Sequence, residues 1–390
     1  MTSTGRRRWH NALFLGMCVT VSGAALVVLV TLLAAIGVQG MRVIRWSFFT
    51  SPPHPQADLA GIGPALMGTL WVGFVCGLIA MPLGVGTGIL LEEFKPRSRL
   101  GRRLHSFIQL NITNLAGVPS IVYGILGLTA FASMFGLFGS PGDPAFEMGA
   151  RYYYQYVTEG MNVVFIPTRT PDDVPNLTVT TLGEDAEGRP VRLHVLGPDD
   201  PYPQDESVLA RTLYPDAAGG LVKRHRWYYL KLPLGRGVLA ASLTLMLVIL
   251  PVIIISSQEA LRGVPDTLRQ ASLGLGATRW QTVRNVSLPS ALPGIMTGAI
   301  LSASRAIGEA APILMLAGVV YITQAPRHLL DEYSVLPIQI FYWARLPVDR
   351  SAAINFQHVA AGGIIVLLAI LLTLNGIASY IRYSARKRLS

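Results

Sequence analysis

Glu259-Ala-Leu-Arg-Gly-Val-Pro-Asp-Thr-Leu-Arg-Gln-Ala-Ser-Leu-Gly-Leu-Gly-Ala-Thr-Arg-Trp-Gln-Thr-Val-Arg-Asn-Val-Ser-Leu-Pro289 is a polar, basic stretch set between two long apolar runs. Asp266 is placed to cap a helix and Gly276 to end one, so the spacing predicts a short helix over Thr267–Leu275. On it Leu268, Ala271, Ser272 and Leu275 follow the i, i+3, i+4, i+7 pattern and share one face. About three turns of helix are too short to be stable alone. That face must therefore pack, either in a groove on a partner or on the chain's own helix ends.

Outward from this stretch, the composition points to a bilayer. The 390 residues are 51% hydrophobic and only 14% charged, against about 25% charged in ordinary globular domains. A net charge of +10 could serve nucleic acid. The basic residues instead flank apolar runs and form no continuous face, which fits membrane lipid and not nucleic acid.

A helix needs about 20 apolar residues to cross the hydrocarbon core. Trp9–Met41, Leu59–Leu91, Leu104–Gly142, Gly237–Gln258 and Ser351–Ile381 exceed that without an acidic residue, Lys or Arg, and Val286–Tyr321 does so with one Arg and one Glu. The sequence thus predicts an all-α integral membrane protein with six transmembrane helices. Arg6, Arg7 and Arg8 precede the first run, but its apolar part, Ala12–Val38, is too long for a signal-peptide core, and an uncleaved helix is expected.

Six spans put both termini on one side, and both ends are basic (Arg6–Arg8; Arg386, Lys387, Arg388). Placing that side in the cytoplasm puts Lys95, Arg97, Arg99, Arg102 and Arg103 in one inner loop and Arg262, Arg269, Arg279 and Arg284 in another, as the positive-inside bias requires. The expected organisation is residues 1–139 with helices 1–3, an extracytoplasmic insert at 140–233, and residues 234–390 with helices 4–6 and the inner loop 259–289. The insert is rich in Pro and Asp (Thr170-Pro-Asp-Asp-Val-Pro; Gly197-Pro-Asp-Asp-Pro). Val163-Val-Phe-Ile, Leu177-Thr-Val-Thr-Thr-Leu and Val191-Arg-Leu-His-Val-Leu read as short strands between turns, so a small β-rich domain is expected.

Arg305 and Glu309 are the formal charges inside the six runs. Each costs about 2.5–3.5 kcal/mol at a helix centre on insertion scales, so such residues face a partner or a watery path. Four apart, they can pair on one helical face. Pro312 would leave the carbonyl of Gly308 without its donor beside them. A similar arrangement recurs in the third run, where Pro119 would free the carbonyl of Leu115 near Asn111, Thr113, Asn114 and Ser120. Path lining and plain helix–helix contact both fit these residues. Arg305, Gly308, Glu309, Pro312, Pro119 and Ser120 are the candidate path residues.

The inner loop resembles the EAA loop of type I ABC importer permeases. That pattern is E-A-A, three residues, G, nine residues, I, one residue, L-P. Here it reads Gln270-Ala271-Ser272, then Gly276, Val286 and Leu288-Pro289, with every interval kept. Gln270 stands where the family has an acid, Ser272 for Ala and Val286 for Ile. The resemblance implies the type I ABC importer permease fold and a coupling helix seated in a cleft of a separate ATPase. Asp266, Leu268, Gln270, Ala271, Ser272, Leu275 and Gly276 are the candidate coupling residues.

Gly117-Val-Pro-Ser-Ile-Val-Tyr-Gly124 and Arg305-Ala-Ile-Gly-Glu-Ala-Ala-Pro312 further resemble the A-type permease of the phosphate-specific transporter. That similarity spans about 65–137 and 237–381 and leaves out the insert. It implies a bacterial inner (plasma) membrane location, a paralogous C-type permease, two ATPase subunits and an extracytoplasmic phosphate-binding protein. Arg offers a planar fork of donors to an oxyanion. A neighbouring carboxylate can accept the proton that phosphate keeps and sulfate lacks.

The chain has no Gly-x-x-x-x-Gly-Lys-[Ser/Thr] phosphate loop. ATP would therefore be hydrolysed by a partner, with no cofactor, catalytic residue or metal site expected in this chain. Cys18 and Cys76 both fall in apolar runs and read as small buried hydrophobes. Another oxyanion (sulfate, molybdate or a phosphonate) is the alternative cargo. A membrane enzyme or sensor acting through the insert is the alternative of another class.

Overall fold

A computed structural model describes residues 3–140, 144–157, 163–168, 179–184, 190–193, 219–317, 322–348 and 354–389. The chain divides into two compact units. Met1–Phe135 joins Leu234–Ser390 in one, and Gly136–Pro233 forms the other.

In the first unit, helices α1 (Ser3–Gly40), α2 (Trp46–Thr50), α3 (Gly63–Glu93), α4 (Arg99–Ala116) and α5 (Ser120–Gly127) precede the insert. After it come α6 (Val238–Arg262), α7 (Asp266–Gly274), α8 (Arg279–Thr282), α9 (Leu288–Gly308), α10 (Ala311–Ala317), α11 (Leu336–Ala344) and α12 (Phe356–Leu389). Among the described residues five helical segments are long and apolar enough to cross a membrane: Asn11–Gly40, Gly63–Glu93, Val238–Arg262, Arg279–Gly308 and Phe356–Tyr380. A sixth crossing requires Arg99–Ala116 and Ser120–Ala132 to count as one span, and these are bent by 105°.

The bend falls at Pro119, the proline that marked this run in the sequence. α4 stops at Ala116, and Pro119 stands in extended backbone (φ −56°, ψ 133°) as the residue that opens α5. The proline has no N–H to continue the ladder, and Val118 before it is disfavoured from helical geometry. The fifth run is also interrupted. α9 ends at Gly308, and a separate short helix begins at Ala311.

The spans pack through small residues, as expected where lipid gives helices no hydrophobic reason to associate. A side chain at Gly88 on α3 would put its Cβ 2.8 Å from the Cβ of Ser257 on α6, so the two backbones approach closely. Leu91, Ile112 and Ile254 form a buried cluster joining α3, α4 and α6. Gln109 of α4 and Gln258 of α6 exchange reciprocal amide hydrogen bonds of 3.1 and 2.8 Å beside it. Another core gathers Phe48, Ile62, Leu336, Trp343 and Val359 from α2, the α3 start, α11 and α12. Cys76 is buried in α3, but Cys18 is exposed. The reason is that α1 packs against α12 along a limited seam and leaves most of its surface free of this chain.

The second unit carries β1 (Phe146–Val157), β2 (Val163–Thr168), β3 (Val179–Glu184), β4 (Pro190–Leu193) and β5 (Gly219–Leu232). They form an antiparallel sheet of order β2-β1-β5 and a β3-β4 pair. A register shift between Met148 and Ala150 interrupts the β1–β5 ladder. The strand-like run at 163 falls in β2, while those beginning at 177 and 191 overlap β3 and β4; 177–178 and 194–196 lie outside the described residues. β1 contains Tyr152-Tyr-Tyr-Gln-Tyr156, an aromatic run of strong strand preference that the sequence reading passed over.

Candidate functional site

The inner-loop helix α7 runs over Asp266–Gly274, one residue earlier at each end than the spacing suggested. Pro265, not Asp266, is its N-cap, with ψ 134°. Proline's fixed φ suits a helix entry, and Asp266 becomes the first helical residue, its carboxylate accepting from Arg269 Nη1 at 2.8 Å. At the other end Gly276 has φ +86°. Its N–H donates to Leu273 O at 3.0 Å and that of Ala277 to Ser272 O at 3.2 Å, the paired bonds of a Schellman stop.

No residue of α7 is buried. Leu268, Gln270 and Ala271 are exposed, and Leu275 just past the helix is 90% exposed. Ser272 departs from this face. It is half-buried, and its hydroxyl lies 3.0 Å from that of Thr282. The chain then enters α8 through a reciprocal cap between Thr278 and Gln281, with bonds of 2.8 and 3.3 Å. That Thr-x-x-Gln signature was legible in the sequence.

α7 is tied back to the spans by charge. Arg269 pairs with Glu93 at the end of α3 (3.1 Å), and Arg262 with Glu92 beside it (2.8 Å). Glu92 also accepts from Lys95 at 2.7 Å. Sequence reasoning missed both acids. The signal was the Glu92-Glu93 doublet at the end of an apolar run, opposite an inner loop rich in arginine.

The charged pair of the fifth run forms, but not in mid-helix. Arg305 occupies the last turn of α9, and Glu309 lies beyond the helix in extended backbone (φ −80°, ψ 108°). Nε of Arg305 donates to Oε1 of Glu309 at 3.2 Å, with side-chain exposures of 60% and 20%. Pro312 does not strip a donor from Gly308, because α9 has already ended there. It sits in the first turn of α10, where a missing N–H costs nothing.

Nor is the carbonyl of Leu115 left free by Pro119. It accepts from the N–H of Val118 at 3.1 Å and from the hydroxyl of Tyr123 at 2.7 Å. Asn111 and Thr113 donate to carbonyls of their own helix, at Phe107 and Gln109. Pro119 is exposed and Ser120 half-buried, and among the described residues neither is hydrogen-bonded to Arg305 or Glu309.

The two broken segments nevertheless meet one turn further on. α5 packs against α10, and a Cβ on Gly124 would stand 2.7 Å from the carbonyl oxygen of Pro312. The two motifs that stood out in the sequence are therefore adjacent in space, through Gly124 and Pro312.

The chain thus combines apolar spanning helices with an exposed, capped helix in the basic loop between two of them. Consistent with it, residues 80–389 match the family described as "Binding-protein-dependent transport system inner membrane component", and the chain belongs to that family. It is an ABC importer permease with the type I permease fold, a multi-pass inner membrane protein and a non-catalytic subunit of an ATP-driven importer.

The chain is similar to "Probable ABC transporter permease protein YqgI" of Bacillus subtilis, 25% identical over 386 residues, covering 96% of this chain and 95% of that protein. It is 34% identical over 151 residues to "Phosphate transport system permease protein PstA 1" of Mycobacterium tuberculosis, covering 38% of this chain and 47%, about half, of that one. It is 26% identical over 306 residues to "Phosphate transport system permease protein PstC" of Mesorhizobium japonicum, covering 77% of this chain and 70% of that protein. Among solved structures, the MetNI methionine ABC transporter in an inward-facing form aligns at TM-score 0.46 and 14% identity, covering 82% of this chain and 94% of that one.

Proposed function

We propose that this permease imports inorganic phosphate. The observation that carries the reading is the Arg305–Glu309 pair at the break between α9 and α10. A guanidinium 60% exposed in this chain, held at one nitrogen by Glu309, keeps its remaining N–H groups clear of the other described residues and open to an oxyanion. The Glu309 carboxylate can accept a hydrogen bond from the P–OH that phosphate keeps and sulfate lacks. The names of the relatives from Mycobacterium tuberculosis and Mesorhizobium japonicum, both phosphate transport permeases, agree with this cargo.

In the same reading α7 docks on an ATPase, since its apolar residues find no cover in this chain. ATP is then bound and hydrolysed by two such partner subunits. A paralogous C-type permease completes the path, a phosphate-binding protein delivers the anion from outside, and both termini face the cytoplasm. The insert lies outside the membrane and modulates docking of the binding protein.

Uptake of labelled phosphate and of labelled sulfate by the reconstituted complex tests the cargo. Phosphate should accumulate with ATP and sulfate should not. The reverse preference would reassign the permease to another oxyanion.

A further inference from the structure

The acids that end α3 and the arginines around the start of the inner loop form one cluster, and Arg269 is its hub. Its Nε and Nη2 donate to Oε1 of Glu93 at 3.3 and 3.1 Å. Nη2 also donates to Leu261 O at 2.6 Å, and Nη1 to Val264 O at 2.9 Å and to Asp266 Oδ1 at 2.8 Å. Leu261 lies in the last turn of α6, among the carbonyls a helix end leaves without a full set of partners. One guanidinium thus closes the end of α6, holds the first turn of α7 and fastens both to the last residue of α3. It is mostly withdrawn from solvent, at 18% exposure, and Glu93 at 10%.

The rest of α7 offers no comparable hold. Its helix packing is with the segment that follows it, through α8 and the π-helix Val283–Ser287 that leads into α9. It buries no residue of its own. Its packed contact with the spans is thus at the start of Arg279–Gly308, whereas its hold on α3 and α6, apart from the short backbone link 263–265, is this one side chain. α3 and α6, the two helices that side chain grips, share the most extensive interface between helices in the unit.

We infer that Arg269 is the positioning residue that passes displacement of α7 to the paired spans α3 and α6; this rests on reading α7 as the helix that docks the ATPase. A planar fork with donors on three nitrogens fixes the angles among two carboxylates and two carbonyls, which a single amide or ammonium cannot do. Without the fork α7 can stay docked and move with the ATPase, while α3 and α6 no longer follow.

The test uses the complete complex in proteoliposomes, with its binding protein and labelled inorganic phosphate. ATPase retention, ATP hydrolysis and phosphate accumulated per ATP are measured for Arg269→Gln and Arg269→Lys. For Arg269→Gln the ATPase should stay bound and hydrolysis should remain within about twofold, while phosphate moved per ATP falls about tenfold or more. Arg269→Lys, which keeps the charge but not the fork, should recover part of that ratio. A residue that only supports the fold would instead lower complex yield and both activities in step.

Ala271→Asp, on the exposed face of α7, separates the two readings. If that variant still retains the ATPase, the docking assignment fails and this inference goes with it. If it sheds the ATPase but Arg269→Gln transports phosphate at the normal ratio, or loses the ATPase itself, the positioning role of Arg269 alone is overturned.

Discussion

Gly124 of α5 lies directly against the backbone of Pro312 of α10. An added Cβ would be 2.7 Å from the proline's carbonyl oxygen and 2.8 Å from its Cα. Backbone atoms cannot swing aside as a side-chain tip can. The contact joins the helix that follows the break at Pro119 to the helix that follows the break at Glu309.

Gly124→Ala should therefore lower the stability of the permease by about 1–3 kcal/mol, the usual cost of overpacking a tight site. Gly77→Ala is the matched control, since nothing lies within 4 Å of its added Cβ. Replacing an unhindered helical glycine should be neutral or stabilise by about 0.5–1 kcal/mol. Thermal unfolding of the purified permease in detergent measures both, and equal midpoints for the two variants would contradict the close contact.

At the coupling loop, Gly276→Val places a β-branched residue at φ +86°. That conformation costs an L-residue roughly 1–2 kcal/mol, enough to unwind the stop of a two- to three-turn helix. Ala271→Asp leaves the helix intact and charges its exposed face. Both variants should insert normally yet lose the ATPase on co-purification. Wild-type recovery of the ATPase with both would remove α7 from the docking role.

The broad architecture was legible because it rests on length and composition. Runs of more than 20 apolar residues mark spans whatever their neighbours do, and a kept set of intervals around Gly276 marks the loop. The breaks were legible only as prolines. Pro119 and Pro312 were read as freeing the carbonyls of Leu115 and Gly308, whereas each stands at the start of a new helix. What decides this is where the preceding helix stops, and that depends on tertiary partners such as the Tyr123 hydroxyl on Leu115 O. Glu93 was not legible as a partner of Arg269 because 176 residues separate them, and no local period reports such a pairing.

The insert gives a third prediction. Gly136–Pro233 is compact by itself, with β1 paired to β2 and β5. Replacing 140–233 by a short Gly/Ser loop should leave the spanning unit assembled, with reduced but measurable phosphate uptake. The remaining activity should require a higher concentration of binding protein, if docking is what the insert assists. A fully assembled complex with no uptake would instead make the insert part of the transport route.

The charged pair gives the most discriminating set of variants. The pair joins the last turn of α9 only to the residue that follows it, so its removal unties no second helix among the described residues. Arg305→Gln should consequently spare assembly and ATPase retention, because α7 lies elsewhere and is held by Arg269. It should abolish phosphate uptake if the guanidinium receives the anion. Arg305→Lys should recover only part, having the charge but not the fork. Glu309→Gln can still accept from Arg305 through its amide oxygen, but it loses the charged acceptor for a phosphate P–OH. Uptake should then fall more for phosphate than for sulfate, if any sulfate passes. A purely structural pair makes the opposite forecast. Each single neutral variant would destabilise the complex, and Arg305→Gln with Glu309→Gln would restore assembly and transport together. Complex yield measured beside uptake for these four variants decides the matter. A double variant that still transports phosphate would overturn the assignment of Arg305 to the path.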